Sequence, residues 1–178
     1  SNHGVRSLRP AEHDVIADRI EAGTLLLAGA ITRGDVTVLR YRPDHLTALC
    51  KTLEQTDAKV EIGVDRIRVS AREPLRPCAV VAEPYPAFPT DMQAQMTAYL
   101  ASIPGTSRVE DHIYPDRFRH IGELRKLGVE VEEDSHGVLI RGGRPLTGSA
   151  VEATDLRASA ALILAGLAAT GITEVSGL

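Results

Sequence analysis

Three aspartates in this sequence stand where a helix is predicted to begin: Asp18, Asp91 and Asp155. A carboxylate at that position accepts hydrogen bonds from free backbone N–H groups at the positive end of the helix dipole, so helix capping explains all three. A rigidly held carboxylate can also take the proton of a hydroxyl group as a general base. Residue type and position therefore leave two interpretations open, a cap and an acid–base group.

The distribution of proline favours the second interpretation for Asp91. The preceding segment, Pro84–Pro89, contains three prolines in six residues and stiffens the entry into the helix. Stiffness of this kind suits a side chain held for catalysis or ligand binding. Other side chains could cap these helices. Thr90 and Gln93 have the spacing of a capping box at the helix near Asp91, and Thr154 is a candidate cap of the helix near Asp155.

Two arginines are predicted to oppose a helix dipole. Arg117 is predicted to begin a helix that runs to about Leu127, and Arg157 lies in the first turn of the helix that follows Asp155. Because the dipole disfavours cations there, both side chains can hold an anion together with free N–H groups. Surface ion pairs, such as Arg117 with Asp116, are the alternative, and both interpretations stay open.

Histidine and cysteine spacing predicts neither a metal site nor a disulfide framework. No two of His112, His120 and His136 are four residues apart, the spacing of two metal ligands on one helix. Cys50 and Cys78 form no C-x-x-C motif, and Cys50 falls on the apolar face of its helix. We therefore expect no metal and no other cofactor, and a reducing cytoplasm as the compartment.

The elements that position these residues form a repeat. Each copy runs from an aspartate at a helix start to a glycine before a strand, with spans of 16, 14 and 16 residues from Asp18, Asp91 and Asp155. A second helix and a hairpin of alternating apolar residues follow the first two copies. The predicted unit is β-α-β-α-β-β, and the fold class is α/β. The third unit stops at Leu178 without its second helix and hairpin, so we expect the natural domain to continue.

Apolar spacing predicts the extent and the buried faces of the helices. The second helices are predicted from Asp44 to about Gln55 and from Arg117 to about Leu127. The first helix of the third copy has the i, i+4, i+7, i+8, i+11 pattern of a single buried stripe, formed by Leu156, Ala160, Ile163, Leu164 and Leu167.

Composition limits the class of protein further. The 178 residues are 43% hydrophobic and 25% charged, as in an ordinary globular domain. No apolar run is long enough to span a membrane. A net charge of −4 and an aromatic content of 3% disfavour nucleic-acid binding, which relies on basic surfaces and base stacking. Neither a membrane nor a nucleic acid is therefore expected as a partner.

The segment Pro86–Gln95 closely resembles the signature of the UDP-N-acetylglucosamine 1-carboxyvinyltransferase family of enolpyruvyl transferases. Further segments resemble family blocks in the same order: Asp18–Thr24, Asp116–Phe118 and Ala153–Ala160. The resemblance extends over nearly the whole chain and implies two domains, each an inverted α/β barrel of three β-α-β-α-β-β units. It also implies that residues 1–178 are most of the C-terminal domain, with units of roughly 5–77, 78–147 and 148–178, and that the N-terminal catalytic domain lies outside this sequence.

The reaction implied by this resemblance transfers the enolpyruvyl group of phosphoenolpyruvate to the 3′-hydroxyl of UDP-N-acetylglucosamine, the first committed step of peptidoglycan synthesis. Asp91 matches the family residue that contacts the 3′-hydroxyl and is the candidate general base. Ile113 matches a position that contacts the sugar nucleotide through its backbone. The other matched substrate-binding positions are Asp18, Arg117, Asp155 and Arg157.

Some family features are absent from this sequence. Ala17 replaces the usual proline and Asp57 a usual glycine. The loop residue that protonates phosphoenolpyruvate, the lysine that binds it and the last arginine of the cleft have no counterpart, so we expect the 178-residue chain alone to be inactive. Two alternatives stay open: an EPSP synthase-like enolpyruvyl transferase, and a noncatalytic module that binds a sugar nucleotide.

Overall fold

The computed structural model describes Ser7, residues 9–72 and residues 74–177. The helices in this part of the chain are α1 (Arg19–Ile31), α2 (Thr47–Gln55), α3 (Gln93–Ala101), α4 (His120–Lys126) and α5 (Leu156–Ala168). Short 3₁₀ turns at Pro43–Leu46 and Thr90–Met92 lead into α2 and α3. The strands are β1 (Asp35–Leu39), β2 (Lys59–Ile62), β3 (Arg66–Ser70), β4 (Ala79–Ala82), β5 (Gly105–Asp111), β6 (Glu130–Asp134), β7 (Gly137–Gly142), β8 (Ala150–Glu152) and β9 (Glu174–Ser176).

The middle part of the chain forms a mixed sheet in the order β4-β5-β7-β6. β4 is parallel to β5, with Val80 opposite Val109, and α3 connects the two strands. β7 is antiparallel to both β5 and β6. In chain order these elements are β4-α3-β5-α4-β6-β7, the β-α-β-α-β-β unit that the sequence predicts.

The flanking sheets repeat parts of this arrangement. β1, β3 and β2 form an antiparallel sheet in the same order as β5, β7 and β6. β8 and β9 form a parallel pair connected by α5, as β4 and β5 are connected by α3. The α/β class and the repeat are therefore observed directly, whereas the closure of the units into an inverted barrel stays a prediction.

Helix α3 is buried along its whole length and contacts both α1 and α5. The turn that leads into α3 lies close to α1. A Cβ atom built on Gly23 of α1 would lie 2.4 Å from the Cε atom of Met92 in this turn. A larger residue than glycine at that position would force the side chain of Met92 to move. The turn that precedes α3 is thereby held against α1.

The buried face of α5 differs from the predicted one. Leu164 is buried as predicted, but Leu156, Ile163 and Leu167 are exposed. The residues that are buried are Ala158, Ala161, Leu162, Leu164 and Ala165. Small alanine side chains let α5 approach α3 closely, whereas the periodicity of the sequence favours the face with the larger side chains.

The second helices begin later than predicted. α2 starts at Thr47 after a 3₁₀ turn, and Cys50 is buried on its apolar face, as predicted, together with Leu49 and Leu53. α4 starts at His120, so Arg117 lies in the preceding loop and does not open the helix.

No helix in the described residues is long and apolar enough to cross a membrane. Nor do three His, Cys, Asp or Glu side chains cluster there in a way that would hold a metal ion. Cys50 and Cys78 are both free cysteines.

Candidate active site

Asp91 is the shared acceptor of an ion-pair cluster that it forms with Arg117 and Arg157. Its Oδ1 atom accepts a hydrogen bond from Arg117 Nη1 at 3.0 Å and one from Arg157 Nε at 2.7 Å. Arg157 Nη2 also lies 2.6 Å from this oxygen. Oδ2 accepts no hydrogen bond from the described residues. This second oxygen is therefore open to a donor from outside the chain, such as a ligand hydroxyl.

Local structure keeps Asp91 from serving as a helix cap. The turn Thr90–Met92 follows Pro89, and no side chain caps either this turn or α3. The predicted capping box is therefore wrong. The hydroxyl of Thr90 instead donates to Asp111 Oδ2 and accepts a hydrogen bond from Arg117 Nη1 at 2.9 Å, which anchors the arginine beside Asp91.

Asp111, buried at the end of β5, connects this cluster to the next loop. Its Oδ1 atom accepts hydrogen bonds from the backbone N–H groups of Ile113 at 2.9 Å and Tyr114 at 2.8 Å. The guanidinium of Arg117 lies 4.1 Å from the centre of the Tyr114 ring, within cation–π distance. Sequence reasoning missed Asp111, whose single signal is a carboxylate at the end of a predicted strand.

Asp18 and Asp155 cap helices α1 and α5, which confirms the capping interpretation of these two aspartates. Asp18 Oδ1 accepts from Ile20 N at 2.7 Å and Glu21 N at 3.3 Å. Asp155 Oδ1 accepts from Arg157 N at 2.8 Å and Ala158 N at 3.1 Å. The prediction of Thr154 as the cap of α5 is wrong, because the helix begins one residue later than that cap requires.

The cap at Asp155 also orders the cluster, since it holds the backbone of the residue whose guanidinium binds Asp91. Burial alone would raise the pKa of the Asp155 carboxyl, but the backbone N–H groups of Ala158 and Arg157 and the nearby positive charge lower it overall. Asp155 is thus a negatively charged group next to Arg157.

Two cavities border the cluster. Arg117 and Asp155 line the first, of about 320 Å³, together with the loop that contains Ile113. Asp91 and Arg157 line the second, of about 380 Å³, together with Asp18 at the start of α1. All the predicted site residues therefore lie around these two cavities, while the functional role of each stays a prediction: Asp18, Asp91, Ile113, Arg117, Asp155 and Arg157.

The predicted surface pair of Arg117 with Asp116 is not observed, because Arg117 binds Asp91 and Thr90. Anion binding by Arg117 and Arg157, the other interpretation of these residues, stays a prediction. Both guanidinium groups border open space in the cavities.

His120, the first residue of α4, is a buried group that sequence reasoning considered only as a metal ligand. It is 3% exposed, and its Nε2 atom has no hydrogen-bond partner among the described residues. Burial lowers the pKa of the imidazole to about 4, against an opposing influence of Asp155. His120 is therefore neutral near neutral pH. Its burial depends on tertiary packing, so no sequence signal marked it.

Residues 2–178 match the family model of EPSP synthase (3-phosphoshikimate 1-carboxyvinyltransferase), and the chain belongs to this family. Curated relatives named UDP-N-acetylglucosamine 1-carboxyvinyltransferase are similar over almost all of it. The relative from Chloroherpeton thalassium is 49% identical over 97% of the chain, and that from Thermus thermophilus is 47% identical over 98%. The chain spans about 40% of the length of these relatives. The resemblance inferred from Pro86–Gln95 is confirmed.

Solved structures share the fold. The enolpyruvyl transferase NikO from Streptomyces tendae has a TM-score of 0.81 at 27% identity, over 92% of this chain and 39% of that one. EPSP synthase from Acinetobacter baumannii has a TM-score of 0.70 at 19% identity, over 92% of this chain and 42% of the other. The second similarity concerns the α/β fold alone.

Proposed function

We propose that this chain is most of the C-terminal domain of an enzyme that transfers the enolpyruvyl group of phosphoenolpyruvate to the 3′-hydroxyl of UDP-N-acetylglucosamine. This is the first committed step of peptidoglycan synthesis, and it would take place in the cytoplasm. One observation carries the proposal: Asp91 is held through Oδ1 by two arginines, while Oδ2 is open to a hydroxyl group. The names of relatives that are 41% to 49% identical support the sugar nucleotide as the acceptor.

Asp91 is the proposed general base. Oδ2 accepts a hydrogen bond from the 3′-hydroxyl and takes its proton as the oxygen forms a bond to C2 of phosphoenolpyruvate, whose C3 gains a proton. In the second half of the reaction C3 loses a proton, the bond from C2 to the phosphate oxygen breaks, and inorganic phosphate leaves. The arginine contacts to Oδ1 fix the direction of the carboxylate before the substrate arrives, which favours proton transfer.

Arg117 and Arg157 are proposed to bind anionic oxygens of the substrates. Arg157 uses Nε and Nη2 toward Asp91, and Arg117 uses Nη1. The remaining Nη atom of each arginine bonds no acceptor among the described residues. These N–H groups suit phosphate or carboxylate oxygens, to which guanidinium groups form charge-assisted hydrogen bonds.

The positions next to the cluster have more limited proposed roles. The N–H group of Ile113 already donates to Asp111, so the backbone group left for the sugar nucleotide is the carbonyl oxygen of Ile113. Asp155 orients Arg157 through the helix cap. Asp18 lines the cavity on the other side of Asp91, where we propose a contact near the junction with a second domain.

The rest of the protein is proposed to complete both the barrel and the reaction. A second, N-terminal domain would supply the proton donor for phosphoenolpyruvate and the lysine that binds it. The 178-residue chain alone is therefore expected to release no phosphate, although the Asp91 cluster is complete within it.

The experiment that tests this function follows phosphate release by the full-length reading frame that contains these residues. With UDP-N-acetylglucosamine and phosphoenolpyruvate, we expect turnover by the full-length protein and none by the 178-residue chain. Release with shikimate 3-phosphate as the acceptor would support the EPSP synthase-like alternative. Binding of the sugar nucleotide without turnover by the full-length protein would support the noncatalytic module.

A matched pair of variants tests the role of Asp91. Asp91→Asn removes the base and should lower kcat by about 10² to 10⁴. Asp35 of β1 is the control, because it binds Arg68 through contacts of 2.7 and 2.6 Å in the flanking sheet. Asp35→Asn should leave kcat unchanged. Equal loss in both variants would contradict a base function of Asp91.

A further inference from the structure

Gln95 of α3 is a buried polar residue at the cavity that Asp91 and Arg157 line. It lies four residues after Asp91, and both residues line this cavity. Only 2% of its surface is exposed, and its Oε1 atom has no hydrogen-bond partner among the described residues. An unpaired buried carbonyl oxygen destabilises the folded state, yet this one is retained beside the candidate base.

The hydrogen bonds around Gln95 determine which way its amide group faces. Gln95 Nε2 donates to Thr24 Oγ1 of α1 at 3.3 Å. The hydroxyl proton of Thr24 is already used, because Thr24 Oγ1 donates to the carbonyl oxygen of Ile20 at 2.8 Å. Thr24 can therefore only accept from Gln95, and a flipped amide would place two acceptors together. The amide nitrogen faces α1, and Oε1 is the atom left without a partner.

A carbonyl oxygen accepts a hydrogen bond from a donor group, and the two proposed substrates differ in the donor groups that they offer. Phosphoenolpyruvate carries a carboxylate and a phosphate monoester, which near neutral pH offer oxygen acceptors. The sugar of UDP-N-acetylglucosamine offers hydroxyl groups and an amide N–H. The donors next to the 3′-hydroxyl are the 4-hydroxyl and the N–H group of the 2-acetamido substituent. Gln95 Oε1 therefore suits the acceptor sugar and not phosphoenolpyruvate.

We propose that Gln95 is a binding residue for the acceptor sugar, and that its Oε1 accepts a hydrogen bond from a donor adjacent to the hydroxyl that Asp91 deprotonates. This inference rests on the proposed function and names a specificity residue within the same site. Thr24 holds the amide in the required orientation from α1. Gln95 thus selects a sugar nucleotide with a donor next to the reacting hydroxyl.

The test compares steady-state constants of the full-length protein with those of Gln95→Met, which keeps the length of the side chain and removes the acceptor. We expect the KM for UDP-N-acetylglucosamine to rise about tenfold, equivalent to about 1.4 kcal/mol for one lost hydrogen bond. The KM for phosphoenolpyruvate should stay within about twofold of the wild-type value. An unchanged KM for the sugar nucleotide, or an equal rise in both constants, would overturn the inference.

Gln93 provides the matched control on the same helix. It is fully buried, its Oε1 also lacks a partner among the described residues, and its Nε2 donates to Thr97 at 3.2 Å. Gln93 is absent from the residues described as lining the cavity at Asp91. Gln93→Met should therefore leave the KM for UDP-N-acetylglucosamine unchanged. The same rise in Gln93→Met as in Gln95→Met would indicate a packing effect and overturn the inference.

A second variant keeps the proposal testable if Gln95→Met does not fold. Gln95→Glu retains an acceptor oxygen and adds a negative charge, so the KM for UDP-N-acetylglucosamine should stay within about threefold of wild type while that for phosphoenolpyruvate rises. The opposite pattern in folded Gln95→Glu would overturn the inference. A wild-type protein without phosphate release from these substrates refutes the proposed function as well. An active wild type with an unaffected Gln95→Met refutes the role of Gln95 alone.

Discussion

The buried imidazole of His120 should make the stability of the chain depend on pH in a specific window. Burial lowers the pKa of His120 in the folded state to about 4, whereas an unfolded chain has an imidazole pKa of about 6.5. Above pH 6.5 both states are neutral at this residue, and it contributes no pH dependence. Between about pH 6.5 and 4 the unfolded state binds the proton and the folded state does not, so stability falls as the pH falls.

The size of this effect follows from the two pKa values. Each unit of difference corresponds to about 1.36 kcal/mol, so the full loss approaches about 3 kcal/mol near pH 4 and is about 2 kcal/mol at pH 5. His120 is 3% exposed, so solvent screening does not diminish the effect as it would at the surface. The variant His120→Gln removes the titration and retains a polar side chain of similar size.

The assay is urea unfolding of wild type and His120→Gln at several pH values between 7.5 and 4. We expect the stability of the variant relative to wild type to increase by about 2 kcal/mol on going from pH 7.5 to pH 5. Carboxylates titrate in both proteins, so the difference isolates the imidazole. His136, exposed in the turn between β6 and β7, is the control, and His136→Gln should show no such change. Parallel pH profiles of wild type and His120→Gln would refute the reasoning.

Other predictions concern the cluster and the core. Asp91→Asn should lower the free energy of unfolding by no more than about 2 kcal/mol, because the Asp91 side chain is 41% exposed; a larger loss in thermal unfolding would mean that the cluster is mainly structural. Tyr99→Phe should cost about 1 kcal/mol, because the buried Tyr99 hydroxyl lies 2.8 Å from Thr56 Oγ1, and an unchanged Tm would contradict this. Gly142→Ala should cost more than about 3 kcal/mol in urea unfolding, since its Cβ would lie 2.3 Å from the carbonyl oxygen of Ile103. Gly122→Ala should be neutral or stabilising in the same assay, because no atom outside its own stretch of helix lies within 4 Å of the added Cβ among the described residues.

Much of the fold could be predicted because its signals are local. The repeat appears in the spacing of helix starts and strands, and the structure contains the β-α-β-α-β-β order in the middle of the chain. The predicted stripe of α5 was wrong for Leu156, Ile163 and Leu167, which are exposed. Periodicity identifies an apolar side of a helix, but the neighbouring helix decides which side is covered, and the buried side of α5 includes three alanines.

The residues of the candidate site could largely be predicted from the sequence, whereas the contacts between them could not. Rigid prolines before Asp91 indicated a positioned carboxylate, and the structure holds that carboxylate away from the helix cap. Thr90, expected to cap, binds Asp111 and Arg117 instead. A threonine hydroxyl can satisfy either set of partners, so spacing along the chain does not choose between them.

The amino-acid sequence by itself determined which helices begin near an aspartate and how the units repeat. Both signals depend on residues only a few positions apart. It also determined the family, through a contiguous signature. Only the tertiary structure decided that one oxygen of Asp91 binds arginines 26 and 66 residues away and that the other stays open. Those contacts exist because the packing of α1, α3 and α5 and the loop after β5 bring distant segments together, and no local pattern specifies that geometry.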